Sequence, residues 1–316
     1  MHNLICLGVY GMNTKRAVWR MLSAVAAGAI LLFGLAGWPR ARAAVYRFYR
    51  HQGRVRTLDG LAGYRTAESP RFLLYYRPDD GDLAALILEQ AEAVLDQVVE
   101  EVGYRPAGRV ALILYPDRPA LRAAYGWGSG QSAVGVYWRG TVGLLSPRVW
   151  IAADDPAELA RAFRRRSPIA HELTHYLLDE LTEGNYPRWF TEGLAQYVEE
   201  RTTGYVWPEA AAASLEPPLY TLAELTRRFD DLPDRPRAYR QSHLLVAHLA
   251  EVYGRSGLTG LIALLGEGMP FDRAVEAALG RSMELIYADW LDQADGRSAQ
   301  GRNVRLSERK GLLEES

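Results

Sequence analysis

The sequence predicts an α+β fold, with a small mixed sheet early in the folded region and helices alone after it. Three observations predict this. Runs of strand character at 71–76, 109–115, 134–138, 141–145 and 149–153 all lie before residue 154. One long amphipathic stretch, Asp82–Gly103, separates the first two runs. From residue 156 onward the apolar residues recur only at helical spacing.

The chain has 316 residues, 48% apolar and 24% charged, enough for one large domain or two lobes sharing a cleft. A net charge of −1 gives no electrostatic footprint for nucleic acid. One cysteine, Cys6, excludes an intrachain disulfide framework and a cysteine-ligated metal. Nothing in the sequence specifies an oligomeric state.

Residues 1–43 are expected to be a signal anchor, with a membrane helix at about 18–38, or else a signal peptide. Met21–Trp38 is uncharged and apolar, and Lys15, Arg16 and Arg20 precede it. Arg42 makes the small-x-small site at Ala41–Ala43 a poor one for cleavage, which favours the anchor. Arg40, Arg42, Arg47, Arg50, Arg54 and Arg56 follow, and by charge alone they would keep the domain inside the cell. Export by a first apolar segment points the other way. Residues 44–68 are weakly patterned and are expected to be a juxtamembrane linker. A folded domain is expected at 69–295, with an N-lobe at 69–182 and a helical C-lobe at 183–295. The polar tail at 296–316 is expected to be disordered.

Within the domain, Arg71–Tyr76 has a short strand pattern, and the "PDDG" after it is a turn with helix-start chemistry. Asp82–Gly103 is a helix closed by its glycine. Arg109–Tyr115 has apolar residues on both faces, as a central strand requires. A turn and short helix precede a glycine-rich loop, then strands near Val134–Trp138 and Thr141–Leu145 and a further one at Val149–Ala153. "PAELARAFRRR" is helical. Ser167–Pro168 then supplies a cap and a first-turn proline for the next helix. "TEGNYP" ends that helix, and "RWFTEGLAQYVEER" and the later apolar-periodic segments are helices in turn.

The helix restarted at Pro168 carries "HELTH". Residues four apart share a helical face, so His171 and His175 can direct both imidazoles at one metal ion. Glu172 lies off that line, where its carboxylate can reach a water in the open fourth position of a catalytic zinc. Zinc lowers the water's pKa toward 7, and the glutamate takes its proton. The competing reading is an exposed histidine pair on an amphipathic helix. A third ligand separates the two, and Glu192 meets that need. It opens the next helix, 17 positions after His175, and sits among Trp189, Phe190 and Leu194. Gly193 beside it allows close helix approach. An exposed first-turn glutamate favoured by the helix dipole is the alternative for Glu192. Asp179 lies one turn beyond His175, where it could orient a ligand imidazole or be a solvated surface charge. An intramembrane protease is excluded, because Arg164, Arg165 and Arg166 precede the motif and Asp179 and Glu180 follow it.

"HELTHYLL" followed by "PRWFTEGLAQYVE" resembles the gluzincin zinc metallopeptidases, specifically the bacterial peptidase-MA-like group related in pattern to thermolysin and the M1 aminopeptidases. The resemblance runs over about 69–293. It implies a zincin-like catalytic domain with the active-site helix on the sheet and the cleft between lobes. It implies one Zn2+ per chain held by His171, His175 and Glu192, with Glu172 as general base and acid. Thermolysin-like enzymes often carry a histidine-orienting acid one turn after the glutamate ligand; here that place is Gln196. Gluzincins often take an oxyanion donor from the helical lobe; Tyr239 is the candidate and His243 the alternative, while His248 reads as an ordinary helix histidine. The edge strand that pairs with substrate is expected from the region of 132–145. Together these readings predict a single-pass bacterial membrane metallopeptidase with an extracytoplasmic domain, secreted if the leader is cleaved, acting on a peptide or protein. A catalytically inactive scaffold of the same fold is the alternative.

Overall fold

The computed structural model describes residues 41–293 except residue 217. The chain divides into two compact units, 1–48 and 49–316. In the first, residues 41–48 are helical. The segment at 18–38 and the tail at 296–316 lie outside the described residues. Among the described residues no helix is long and apolar enough to cross a membrane.

The second unit begins with helix α1, residues 49–59. Strands β1 (Arg65–Glu68), β2 (Phe72–Tyr76), β3 (Val110–Tyr115), β4 (Gly135–Trp138) and β5 (Thr141–Leu145) form one sheet in the order β1-β2-β3-β5-β4. The sheet is mixed. β3 runs parallel to β2 and β5, and the two outer pairs are antiparallel. Every residue of β3 is buried, as a central strand covered on both faces must be.

Each face has its own apolar partner. Phe72, Leu74, Leu112, Leu114 and Leu144 pack into the main core with helix α2 (Ala84–Val102). Ile113, Tyr115 and Leu145 face the other way, toward Leu58, Leu61 and Tyr64 and toward Leu121 of helix α3 (Arg118–Tyr125). Helix α2 ends as its sequence indicates, with Gly103 at φ 78°.

Helices α4 (Pro156–Arg166), α5 (Ile169–Thr182) and α6 (Arg188–Thr203) come next. They are followed by α7 (Pro208–Ala212), α8 (Leu222–Arg228), α9 (Arg235–Gly266), α10 (Phe271–Leu279) and a helix over 283–293, α11. Gly254, at φ 71° and ψ 173°, breaks α9 into two helical runs. Helices α4, α5, α6, α8, α9, α10 and α11 share one continuous core, in which Trp189 and Phe190 of α6 stand edge-on to Phe271 of α10.

Two expectations are corrected. The strand at Val149–Ala153 does not form. Pro147–Val149 is a 3-10 turn, and Ile151 donates its amide to Pro147 O at 2.9 Å. Pro147 starts this turn directly after β5, and Trp150 and Ile151 pack into the core, Trp150 against Phe163, instead of pairing with a strand. The stretch 44–68 is also not featureless. Its part in the second unit contains α1 and β1, and Leu58, Leu61 and Tyr64 cover the outer face of the sheet. Its interspersed arginines break the periodicity that would have revealed this packing.

Helices α6 and α9 meet backbone to backbone at Gly193. A Cβ on Gly193 would stand 2.4 Å from the Ser242 carbonyl oxygen and 2.8 Å from Val246 Cγ2. Gly193→Ala is expected to lower the unfolding free energy by about 1–3 kcal/mol through overpacking. Urea unfolding would show it as a lower midpoint at unchanged slope.

Candidate metal centre

Ser167 Oγ accepts the Ile169 amide at 3.2 Å, and the Pro168 carbonyl accepts the Glu172 amide at 2.9 Å, which starts α5. His171 and His175 then lie one turn apart on the same face, with ring centroids 4.8 Å apart. After α5, Glu183 at φ 54° and Gly184 at φ 70° reverse the chain. Pro187 opens α6, which packs back along α5 and brings Glu192 to the histidines.

Three donor atoms meet there. His171 Nε2 and His175 Nε2 are 3.2 Å apart, and Glu192 Oε2 lies 3.6 and 3.7 Å from them. The edge of a zinc tetrahedron with ligand bonds of 2.0–2.1 Å is about 3.3 Å. The arrangement therefore fits one ion and is consistent with a zinc site. The electrostatics point the same way. Burial alone would raise the pKa of Glu192, but Arg188 and the imidazoles outweigh it and hold the carboxyl well below its ordinary value. Burial would lower His171, yet Glu192 and Glu199 raise it well above the usual histidine range, while burial leaves His175 lowered. The carboxylates of Glu192 and Glu199 thus favour positive charge at His171.

The outward nitrogens are also engaged. His175 Nδ1 is 2.7 Å from Thr191 Oγ1, and His171 Nδ1 is 3.2 Å from Glu199 Oε2. Such partners fix ring orientation and leave Nε2 facing the site. Arg188 Nη2 lies 2.7 Å from Glu192 Oε1, which leaves Oε2 for the histidines. The arginine also reaches Asp230 at 3.4 Å.

Glu172 is buried beside the triad. Its Oε2 accepts the Tyr137 amide of β4 at 2.5 Å. Burial pushes its carboxyl up to about 7, with His171 opposing and Glu192 adding to the rise. Gly135, also on β4, has no room for a side chain, since a Cβ would stand 2.7 Å from Pro168 and 2.8 Å from Glu172 Oε1.

The triad and Glu172 open into a cleft of about 660 Å³. One wall is the glycine-rich loop, with Trp127, Gln131 and Ser132, together with Gly135 and Val136. The other contains Arg188, Asp230, Arg235 and Tyr239. Tyr239 is packed against Trp207 and Phe229. Burial and then Glu192 push its hydroxyl up to about 12, so it is protonated at neutral pH. His243 instead points its Nε2 to within 2.9 Å of Glu200 and is not part of the cleft lining. His248 is buried in α9.

Two expected orienting residues are placed elsewhere. Asp179 is fully buried, and it accepts from the hydroxyls of Tyr137 and Tyr186. It is neither a solvated charge nor the partner of His175, whose Nδ1 faces Thr191. Gln196 donates to the carbonyls of Glu192 at 3.3 Å and Tyr239 at 3.0 Å, tying α6 to α9. Glu199 and Thr191 are the imidazole partners that sequence reasoning missed. Glu199 lies seven residues after Glu192, two turns along the same face, and that spacing could have revealed it.

Residues 91–294, more than half of the chain, match the Peptidase MA superfamily. The chain belongs to that superfamily. Among solved structures, it is similar to a mutant M1 zinc metallopeptidase from Deinococcus radiodurans, at 16% identity and a TM-score of 0.34. That match covers 72% of this chain and 51% of the other, so the chain spans about half the length of that relative. No curated protein matches it. Superfamily membership and the triad agree on the class of site. Replacing Glu199 with alanine is expected to weaken divalent-metal binding by about 10- to 100-fold, measured by competition with a metal-chelating dye.

Proposed function

We propose that this chain is a zinc-dependent metallopeptidase, with His171, His175 and Glu192 as the zinc ligands and Glu172 as general base and acid. The spacing of the three donor atoms, 3.2 to 3.7 Å, carries the reading. Zinc held by these residues would supply Lewis-acid chemistry, making a water more acidic and a peptide carbonyl more electrophilic. Glu172 takes a proton from the attacking water and returns it to the leaving nitrogen, a task for which its buried place beside the triad suits it. Tyr239, held protonated, donates to the oxyanion that develops on the carbonyl. The substrate is a peptide or protein segment, the class that membership of the superfamily implies. It lies in the cleft between the β4 wall and the α9 wall.

Anchoring in the bacterial membrane by the apolar stretch Met21–Trp38, with the catalytic domain outside the cytoplasm, belongs to the same proposal and is supported by sequence pattern alone.

Purified full-length protein is expected to carry one zinc per chain by elemental analysis and to cleave fluorescein-labelled casein. His175→Ala should lose the metal. Glu172→Gln should keep it and lose at least about 100-fold in rate. A metal-free wild type, or a Glu172→Gln variant that cleaves normally, would sink the proposal.

A further inference from the structure

Asp179 is a fully buried carboxylate for which the chemistry above has no use. We infer that Arg50, Asp179 and Tyr137 form a positioning relay that holds the β4 backbone amide against Glu172. The inference rests on the role proposed for Glu172, and it assigns positioning residues to that role.

Tyr137 is gripped by α5 at two points. Its amide donates to Glu172 Oε2 at 2.5 Å, and its hydroxyl donates to Asp179 Oδ2. Glu172 and Asp179 are seven residues apart, so their grips are spaced about 10 Å along one helical face. The tyrosine ring stands edge-on to Tyr176 at 6.0 Å. Its hydroxyl also accepts the Gly140 amide at 3.2 Å, which ties in the β4–β5 turn. A strand held this way cannot slide or lift from α5 without exposing a buried charge.

Asp179 in turn needs partners, because an isolated buried carboxylate is costly. Tyr186 supplies a second hydroxyl at 3.0 Å, and Arg50 of α1 brings its guanidinium to 3.8 Å. Arg50 also reaches Glu180 at 3.6 Å. The seat of α1 is specific. Arg139, in the β4–β5 turn at φ 46°, lies over the Tyr49 ring at 3.9 Å. A Cβ on Gly53 would collide with Arg139 Cδ at 2.2 Å. Helix α1 therefore closes on the hairpin that carries Tyr137.

The amide occupies Glu172 Oε2. Oε1 lies beside Gly135, a residue that lines the cleft. The relay thus commits one oxygen to the strand and leaves the other for proton transfer, and it does so without touching a metal ligand.

The test uses the full chain with Tyr137→Phe, Arg50→Ala and Arg50→Lys. Hydrogen exchange resolved to single amides should show the Tyr137 amide exchanging at least about tenfold faster in Tyr137→Phe and Arg50→Ala, with the β3 amides unchanged. Zinc content should stay at the wild-type level. With labelled casein, kcat should fall on the order of tenfold at unchanged KM, and Arg50→Lys should recover most of both effects. Unchanged exchange at Tyr137, or an equal acceleration across β3, overturns the relay, the second result reducing it to general stabilisation. A loss carried by KM alone overturns it too. A wild type inactive on casein would count against the peptidase reading, and the exchange data would then decide the relay alone.

Discussion

Glu192 is an ionised group with almost no access to water, and much of the surrounding architecture serves to make that tolerable. A carboxylate in such a place is expensive unless cations and hydrogen-bond donors surround it. Arg188 takes one oxygen, and two imidazoles face the other. Each imidazole is steadied from behind by a residue of the same helix as the glutamate. The pocket therefore has a fixed appetite for positive charge at one point, a necessary property of a metal site.

That point exists only because two helices meet at close range. Helix α6 must lie along α5 to deliver Glu192, and α9 must lie along α6 to bury its back. The absence of a side chain at Gly193 makes the second contact possible. Gln196 then bonds the carbonyl of Tyr239, so the residue proposed to stabilise the oxyanion is located through the same helix that bears the third ligand. Ligand and oxyanion donor share a support, and a shift of α6 would displace both.

The parts of this design legible in the sequence are those that repeat a local pattern. The fully apolar β3, the glycine stop of α2 and the four-residue spacing of the histidines are local, and the structure places them as read. The α+β order of elements was legible for the same reason. The parts that were not legible depend on what the chain meets after folding. Asp179 reads in the sequence as either an imidazole partner or a surface charge; its partners come instead from β4, from the turn before α6 and from α1. Gln196 occupies the place where an acid was expected, and Glu199, a turn further on, bonds the histidine. The arginine-rich run before the domain resembles a linker because its apolar residues follow no clear period, yet three of them cover a face of the sheet. In each case the deciding partner is distant in sequence.

Strand β4 ends the sheet, and it is only four residues long. An outer strand with unpaired backbone groups is a template on which other chains can assemble. Here one outward amide is already committed to a carboxylate of α5, and the neighbouring turn is covered by α1. The remaining border is too short to nucleate a growing stack of strands. The features that keep this border orderly thus also leave little of this edge open to a second strand.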